Sequence, residues 1–463
     1  MKNACLFALA LIVAVPAFGA GYGFVEKPEP PENPALTGPA RPTVPVPGQT
    51  LQSFQDDDYP YYANTPEDMI PYRGVEPFYR YWTRRLQYFG PGRDYPAPAG
   101  LKSLKVGLLS PGAYGPEGAR GKRSRRGIEL AFEEDNAARK PGELPIELVF
   151  SEDAPQWGSA ANITVDFADN EVLGFLGTID GDATHVALRA TLKLETYMIN
   201  TSDPDPTLTE TQVPWLTRIW PDDRQQCFRL ADLVVRKRNC HRIAVLRESS
   251  RPGRVGVMHF INYIRRLGFP PVQHLFYKAG DQHIDEQIAA IKGSDPDAVL
   301  FYGQPEDIGR FVKQFREAGI KAQFFGFDRL QEPGFQKNAG VHAEGMTITY
   351  FFNPNRPDPR WQEFIARFQK RYNEAPDIYA AYGYDGAQMM IAAIQHAGPN
   401  RYRVHDYLAS LNDYDGVTGR MVFDGRWDNI VPITTANFRG GQWNYDAPPA
   451  PKAAATAPRV TRN

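Results

Sequence analysis

From residue 104 onward, short apolar runs alternate with longer segments in which apolar positions recur every three or four residues. The runs at 105–110, 146–150, 172–176, 197–200, 243–247, 272–276, 298–302 and 323–326 span four to six residues each. Several, Val106-Gly107-Leu108-Leu109 among them, are apolar at consecutive positions, which predicts strands covered on both faces, as in a parallel sheet. The intervening segments at 121–138, 159–169, 182–193, 224–238, 254–267, 284–292 and 306–318 predict helices; a strand at 346–350 and helices at 360–372 and 384–397 follow. This alternation reads as βαβ units and therefore as an α/β fold, and two such runs parted near Trp220 imply two lobes.

Before residue 104 the periodicity is lost. The first twenty residues carry Lys2, an apolar run from Ala4 to Val15 and small residues at Ala17, Gly19 and Ala20, the pattern of a cleaved secretory leader. A membrane-spanning helix needs roughly 20 apolar residues, more than this Pro16-interrupted run offers, and no later segment is apolar enough, so the chain does not read as an integral membrane protein. Eight prolines between Pro28 and Pro47 predict an extended tether within 21–50. Residues 51–102 form an aromatic-dense arm that either packs on the main body or docks a partner protein. The Ala/Pro-rich segment 446–463 reads as a disordered tail.

Composition adds little to this picture. With 42% hydrophobic and 23% charged residues and a formal net charge of −2, the 463-residue chain is an ordinary globular one with no nucleic-acid signature. Cys227 and Cys240 flank the helix expected at 224–238, whose rise of about 1.5 Å per residue separates the thiols beyond disulfide reach, so two buried free thiols are expected.

In parallel sheets, ligands bind outside the carboxyl ends of the strands. The loop after the first strand leads into Arg120, Lys122, Arg123, Arg125 and Arg126, which reads either as an anion-binding helix start or, by preference, as solvated basic side chains. It is no nucleotide-binding P-loop, because Arg123 stands where a magnesium-binding Ser or Thr belongs. The third and fourth strands end in Asp180-Gly181-Asp182 and Thr201-Ser202-Asp203-Pro204-Asp205, a polar wall for a cation or a hydroxyl-rich molecule. Asp182 and Asp205 equally suit helix capping. The second lobe offers Tyr302, Asp328 and the loop 249–254. Nucleophile elbows, zinc helices and Cys-x-x-Cys pairs are missing from the sequence, so no catalytic residue, cofactor or metal ligand is assigned; a metal in the acidic loops stays an open alternative.

Lys105-Val106-Gly107-Leu108-Leu109-Ser110, Gly127-Ile128-Glu129-Leu130-Ala131, Gly174-Phe175-Leu176-Gly177, Asp297-Ala298-Val299, Arg316-Glu317-Ala318-Gly319, Tyr379-Ala380-Ala381-Tyr382 and Asp415-Gly416-Val417-Thr418-Gly419 fall in an order that resembles the periplasmic solute-binding proteins of branched-chain amino-acid type, over about 103–443. The resemblance implies two Rossmann-like lobes joined by three crossovers, 103–220 plus 351–422 and 221–350 plus 423–445, closing on a small molecule that is delivered to an ABC transporter permease. It places Tyr302 over the ligand and Asp328 opposite a ligand ammonium. On the first lobe Gly181 stands where amino-acid binders have a carboxylate-gripping Ser, and Pro204 after Asp203 where they have a Thr. The expected ligand contacts are therefore Asp180, Gly181, Asp182, Thr201, Ser202, Asp203, Tyr302 and Asp328, and the expected ligand is neutral or cationic instead of a branched-chain amino acid. A sensor or adaptor that reports ligand to a partner protein is the alternative function.

Overall fold

The computed structural model describes residues 88, 90–113, 115–153, 158–179 and 181–447. The expected leader, the tether, most of the aromatic arm and the tail beyond 447 lie outside the described residues, as does Asp180.

Continuous apolar runs become the centre of a five-stranded, all-parallel sheet in the order β2-β1-β3-β4-β5, comprising β1 (Leu104–Pro111), β2 (Ile146–Asp153), β3 (Phe175–Leu176), β4 (Met198–Asn200) and β5 (Leu216–Arg218). Between them run α1 (Gly115–Ala138), α2 (Ser159–Asp169), α3 (Gly181–Leu194) and the single turn α4 (Thr207–Glu210). Successive strand residues point to opposite faces, and both faces are apolar. Leu108, Leu176 and Ile199 pack toward α1, while Leu109, Phe175 and Met198 pack toward α2 and α3.

The second sheet has seven strands in the order β14-β13-β10-β9-β8-β6-β7. It is built from β6 (Ile243–Glu248), β7 (Gln273–Tyr277), β8 (Ala298–Tyr302), β9 (Gln323–Gly326) and β10 (Thr347–Tyr350), all parallel, and closed on one side by the antiparallel hairpin β13 (Thr434–Arg439) and β14 (Gln442–Tyr445). Its helices are α5 (Asp223–Ala231), α6 (Arg251–Gly256), α7 (Met258–Arg266), α8 (Asp285–Gly293), α9 (Pro305–Glu317) and α10 (Pro333–Ala339). Prolines at the first turns of α9 and α10 occupy positions where the missing N–H has no helical partner.

After β10 the chain returns to the first sheet as α11 (Pro359–Tyr372), α12 (Ile378–Ala397), α13 (Arg401–Ser410) and the hairpin β11 (Asp413–Gly416)–β12 (Gly419–Val422). Trp361, Phe364, Tyr379, Met390, Leu408 and Phe423 share one core with Val106, Ile128 and Trp220, whereas Ala436, Phe438 and Trp443 join the core of the second sheet. The chain thus passes between two lobes three times. α1 and α12 approach closely: a Cβ on Gly127 would lie 1.9 Å from the Ala380 carbonyl oxygen, and one on Gly383 2.4 Å from that of Ser124.

The first and third passages are tied by buried charge. Arg218 donates through Nε to Asp428 Oδ1 at 2.8 Å, and its Nη2 lies 3.2 Å from Asp222 Oδ2, which also takes Arg224 Nη2 at 2.8 Å. Backbone bonds from Arg218 N to Trp427 O (2.9 Å) and from Asn429 N to Arg218 O (3.1 Å) splice the two passages.

Several expected elements differ in detail. The helix expected at 224–238 is α-helical only to Ala231 and then widens into a π-helical turn, Asp232–Lys237. The helix expected at 254–267 starts earlier, where Ser250 caps Gly253 N ahead of Pro252, and divides at Val257. β5, α10, α13 and the four C-terminal strands are short, and no periodicity announced them. Cys227 and Cys240 are buried free thiols. The described end of the arm packs on the first lobe: the Tyr88 hydroxyl donates to Glu195 Oε1 at 2.7 Å, its ring meets Trp215 edge-on at 4.8 Å, and Arg93 Nη2 donates to Asp406 Oδ1 at 2.8 Å.

Candidate functional site

β3 and β4 end in two loops that place the first-lobe side chains. After β4, Asp203 N donates to Asn200 Oδ1 (3.0 Å), Asp205 N to Asp203 Oδ1 (3.0 Å) and Thr207 N to Asp205 Oδ1 (2.8 Å). This chain of side-chain-closed turns holds Thr201, Ser202, Asp203 and Asp205 buried at the strand end. Ser202 Oγ and Asp203 Oδ2 are buried without a hydrogen-bond partner among the described residues. Burial and the neighbouring Asp205 charge push the Asp203 carboxyl up to about 7, because a desolvated anion beside a like charge is unfavourable. Asp205 moves the other way, held down against its own desolvation by bonds from His185 and Thr207 and by the Arg251 charge. Gly181 opens α3, and a Cβ there would lie 3.2 Å from Asp205 Oδ2 and 3.5 Å from Asp203 Oδ1. Asp182 is exposed beside it.

On the second lobe Tyr302 ends β8. Its hydroxyl donates to Asp223 Oδ2 at 2.5 Å and its ring packs on Phe327 at 5.0 Å, in the lobe core with Cys227, Val257 and Phe260. A Cβ on Gly256 would lie 2.2 Å from the Tyr302 Cζ, so the ring seats directly against α6. Asp328 Oδ1 accepts from Gln226 Nε2 at 2.8 Å, and Gln226 Oε1 accepts from Thr349 Oγ1 at 2.9 Å. Burial raises both Asp223 and Asp328. Between them a cavity of about 10 Å³ is lined by Asp223, Tyr302, Phe327, Asp328 and Arg329, room for roughly one water.

Across the cleft the structure joins residues that the sequence reading kept apart. Arg251, at the start of α6, bonds Asp205 Oδ2, donates through Nη2 to Thr207 Oγ1 at 3.1 Å and lies 3.6 Å from Asp182 Oδ1. Asp182, Asp205 and Thr207 therefore converge on one arginine of the opposite lobe, which also lies against Gly181. Arg120 corrects the expectation of solvated basic side chains, being 1% exposed. It bonds Glu117 Oε1 (2.9 Å) on its own helix, and Gln304 Oε1 (3.0 Å) and Glu332 Oε1 (2.9 Å) on the second lobe. Tyr379, on α12, donates to the same Glu332 oxygen at 3.1 Å. Arg329 faces the cavity and lies 3.8 Å from Glu117. Arg251 lies in the loop 249–254 that the sequence offered at the site and Arg120 in the basic helix start, though neither was among the expected contacts; Asp223 and Arg329 were not singled out, and their advance signal was a position at a helix start and a strand end. Among the described residues no cluster of three His, Cys, Asp or Glu is arranged to hold a metal, and no helix is long and apolar enough to cross a membrane.

One parallel and one largely parallel sheet linked by three passages, with polar strand ends facing one another, define a two-lobed α/β binding protein. Residues 103–443 match the family model for periplasmic binding proteins, and the chain belongs to that family. It is 24% identical over 351 residues to Leu/Ile/Val-binding protein homolog 2 of Brucella abortus, covering 74% of this chain and 93% of that one. It is 25% identical over 350 residues to an amino acid binding protein of Pseudomonas aeruginosa, covering 74% and 91%. Among solved structures, a leucine binding protein from Thermotoga maritima superposes with a TM-score of 0.66 at 21% identity over 74% of this chain and 98% of that one. A solute binding protein from R. palustris, solved with benzoate, gives 0.66 at 19% identity over 77% and 98%.

Proposed function

We propose that this chain is an exported, periplasmic solute-binding protein that captures a small polar molecule between its lobes, at the ends of β4 and β8, and delivers it to an ABC transporter permease without chemical change. Family membership supports the class. The observation that carries the binding site is the buried pair Ser202 Oγ and Asp203 Oδ2 at the end of β4, which have no hydrogen-bond partner among the described residues. An unpaired buried polar atom costs about 1–3 kcal/mol, a cost that a ligand hydroxyl or ammonium donor removes.

The Brucella relative is named for leucine, isoleucine and valine, but a fold match under 25% identity does not carry a ligand, and the R. palustris protein was solved with benzoate. The buried Asp203 carboxyl, with one oxygen unpartnered among the described residues, favours a solute bearing a hydroxyl or ammonium over one presenting a carboxylate there. Thermal-shift screening of amines, polyols, ureas and amino acids tests this, since a ligand specific to the folded form raises its melting temperature. An amine or polyol should give the largest shift, and Asp203→Asn or Asp328→Asn should reduce it. A largest shift from isoleucine or leucine, unaffected by Asp203→Asn, would refute the assignment.

A further inference from the structure

Each lobe places an arginine on a carboxylate of the other. Arg251 of the second lobe sits on Asp205, which is 4% exposed and also faces His185 Nε2 at 3.3 Å. Arg120 of the first lobe sits on Glu332, with Arg123 Nη2 3.5 Å from the second Glu332 oxygen. We infer that these two reciprocal ion pairs form an interlobe latch, by which the chain's own charges favour closure independently of any solute.

Three features separate a latch from ordinary surface pairing. Arg120 and Asp205 are almost wholly removed from water, so their contacts are not the exposed pairs whose contribution is near zero. Each arginine makes more than one bond across the cleft: Arg251 reaches Asp205, Thr207 and Asp182, and Arg120 reaches Gln304 and Glu332. The partners also lie far apart along the chain, 46 positions between Arg251 and Asp205 and 212 between Arg120 and Glu332, on elements that only lobe closure brings together. The Arg218–Asp428 pair differs in kind, because it joins neighbouring passages and is compatible with any opening angle.

The inference goes beyond the proposed function and needs no ligand. The full chain carries spin labels at Val165→Cys on α2 and Phe276→Cys on β7, both exposed and on opposite lobes, while Cys227 and Cys240 are buried. Interlobe distances are measured by pulsed dipolar spectroscopy with no solute added. The parent should show a short, narrow distribution. Arg251→Ala, Asp205→Asn and Glu332→Gln should each raise the open-to-closed ratio about tenfold, the scale of a charge-assisted hydrogen bond. The Arg251→Ala/Asp205→Asn double variant should open no further than Arg251→Ala alone, because Asp205 contributes to the latch through Arg251. A parent already at the long distance, or distributions unchanged in both Arg251→Ala and Glu332→Gln, would overturn the latch. Solute binding by those unchanged variants would leave the proposed function standing.

Discussion

Arg120 Nη2 lies 2.9 Å from Glu332 Oε1, a first-lobe guanidinium 1% exposed against a second-lobe carboxylate. Truncating one member of a buried pair leaves the other charge uncompensated, which typically costs about 3–5 kcal/mol. Arg120→Met should therefore lower stability, by no more than the lower end of that range, since Glu117 and Glu332 both lose their nearest cation but keep Arg329 at 3.8 Å and Arg123 at 3.5 Å. Glu332→Gln should cost less, because its amide oxygen still accepts from Tyr379. Urea titration checks both as a shift of midpoint at unchanged slope.

Close helix packing makes a second prediction. Gly127→Ala puts a methyl 1.9 Å from the Ala380 carbonyl oxygen, so α1 must move off α12. A loss of about 3 kcal/mol is expected, the upper part of the usual overpacking range. Gly293→Ala, at the end of α8 in open space, should change stability by less than about 1 kcal/mol. Paired denaturation curves read both.

The pH dependence follows from Asp203. Its carboxyl titrates near 7 in the folded protein against 3.8 ordinarily, so between those values the folded form holds more protons than the unfolded one. Stability from this group is complete below about pH 4 and is lost as pH rises through 7. Asp385 and Asp424, each raised to about 6 chiefly by burial, act in the same direction. Asp205, held below its ordinary value, contributes stability above about pH 4 that disappears only on further acidification. Asp203→Asn should melt several degrees higher than the parent at pH 8 and converge with it only below about pH 4, with a residual slope from the other two acids. Thermal melts across that range test the sign.

Cys227 and Cys240 should be inert in the native state. Burial pushes Cys240 up to about 11 and Cys227 well above its ordinary range, so little thiolate exists at neutral pH. A disulfide reagent should react slowly with the native protein and promptly with both residues in denaturant. Rapid native labelling of Cys227 would contradict the burial described.

Much of the architecture was legible because consecutive apolar residues such as Leu108 and Leu109 must each find a covered face, and only a sheet with helices on both sides provides that. β5 was not legible, since Leu216-Thr217-Arg218 is too short for a period and its arginine faces inward to Asp428. At the site, the loop 201–205 was located correctly as a strand end, and the capping reading of Asp205 has its counterpart in the Thr207 bonds. The partners across the cleft could not be read, because the burial of Arg120 depends on Glu332 and Gln304, which arrive from another lobe. Local pattern reports what a segment buries against its own sheet; it carries no information about a surface assembled by closure.

The described end of the N-terminal arm is riveted to α13 through Tyr88, Tyr95 and Arg93, all on the first lobe. Tyr88 is therefore anchored to one side of the cleft only. A hold applied at Tyr88 would make the first lobe the stationary jaw and leave the second lobe to swing, carrying Tyr302, Asp328 and Arg251 toward a fixed floor at β4. The polarity of closure, and with it which face stays steady for a membrane partner to grip, would be set by a few aromatic contacts remote from the cleft.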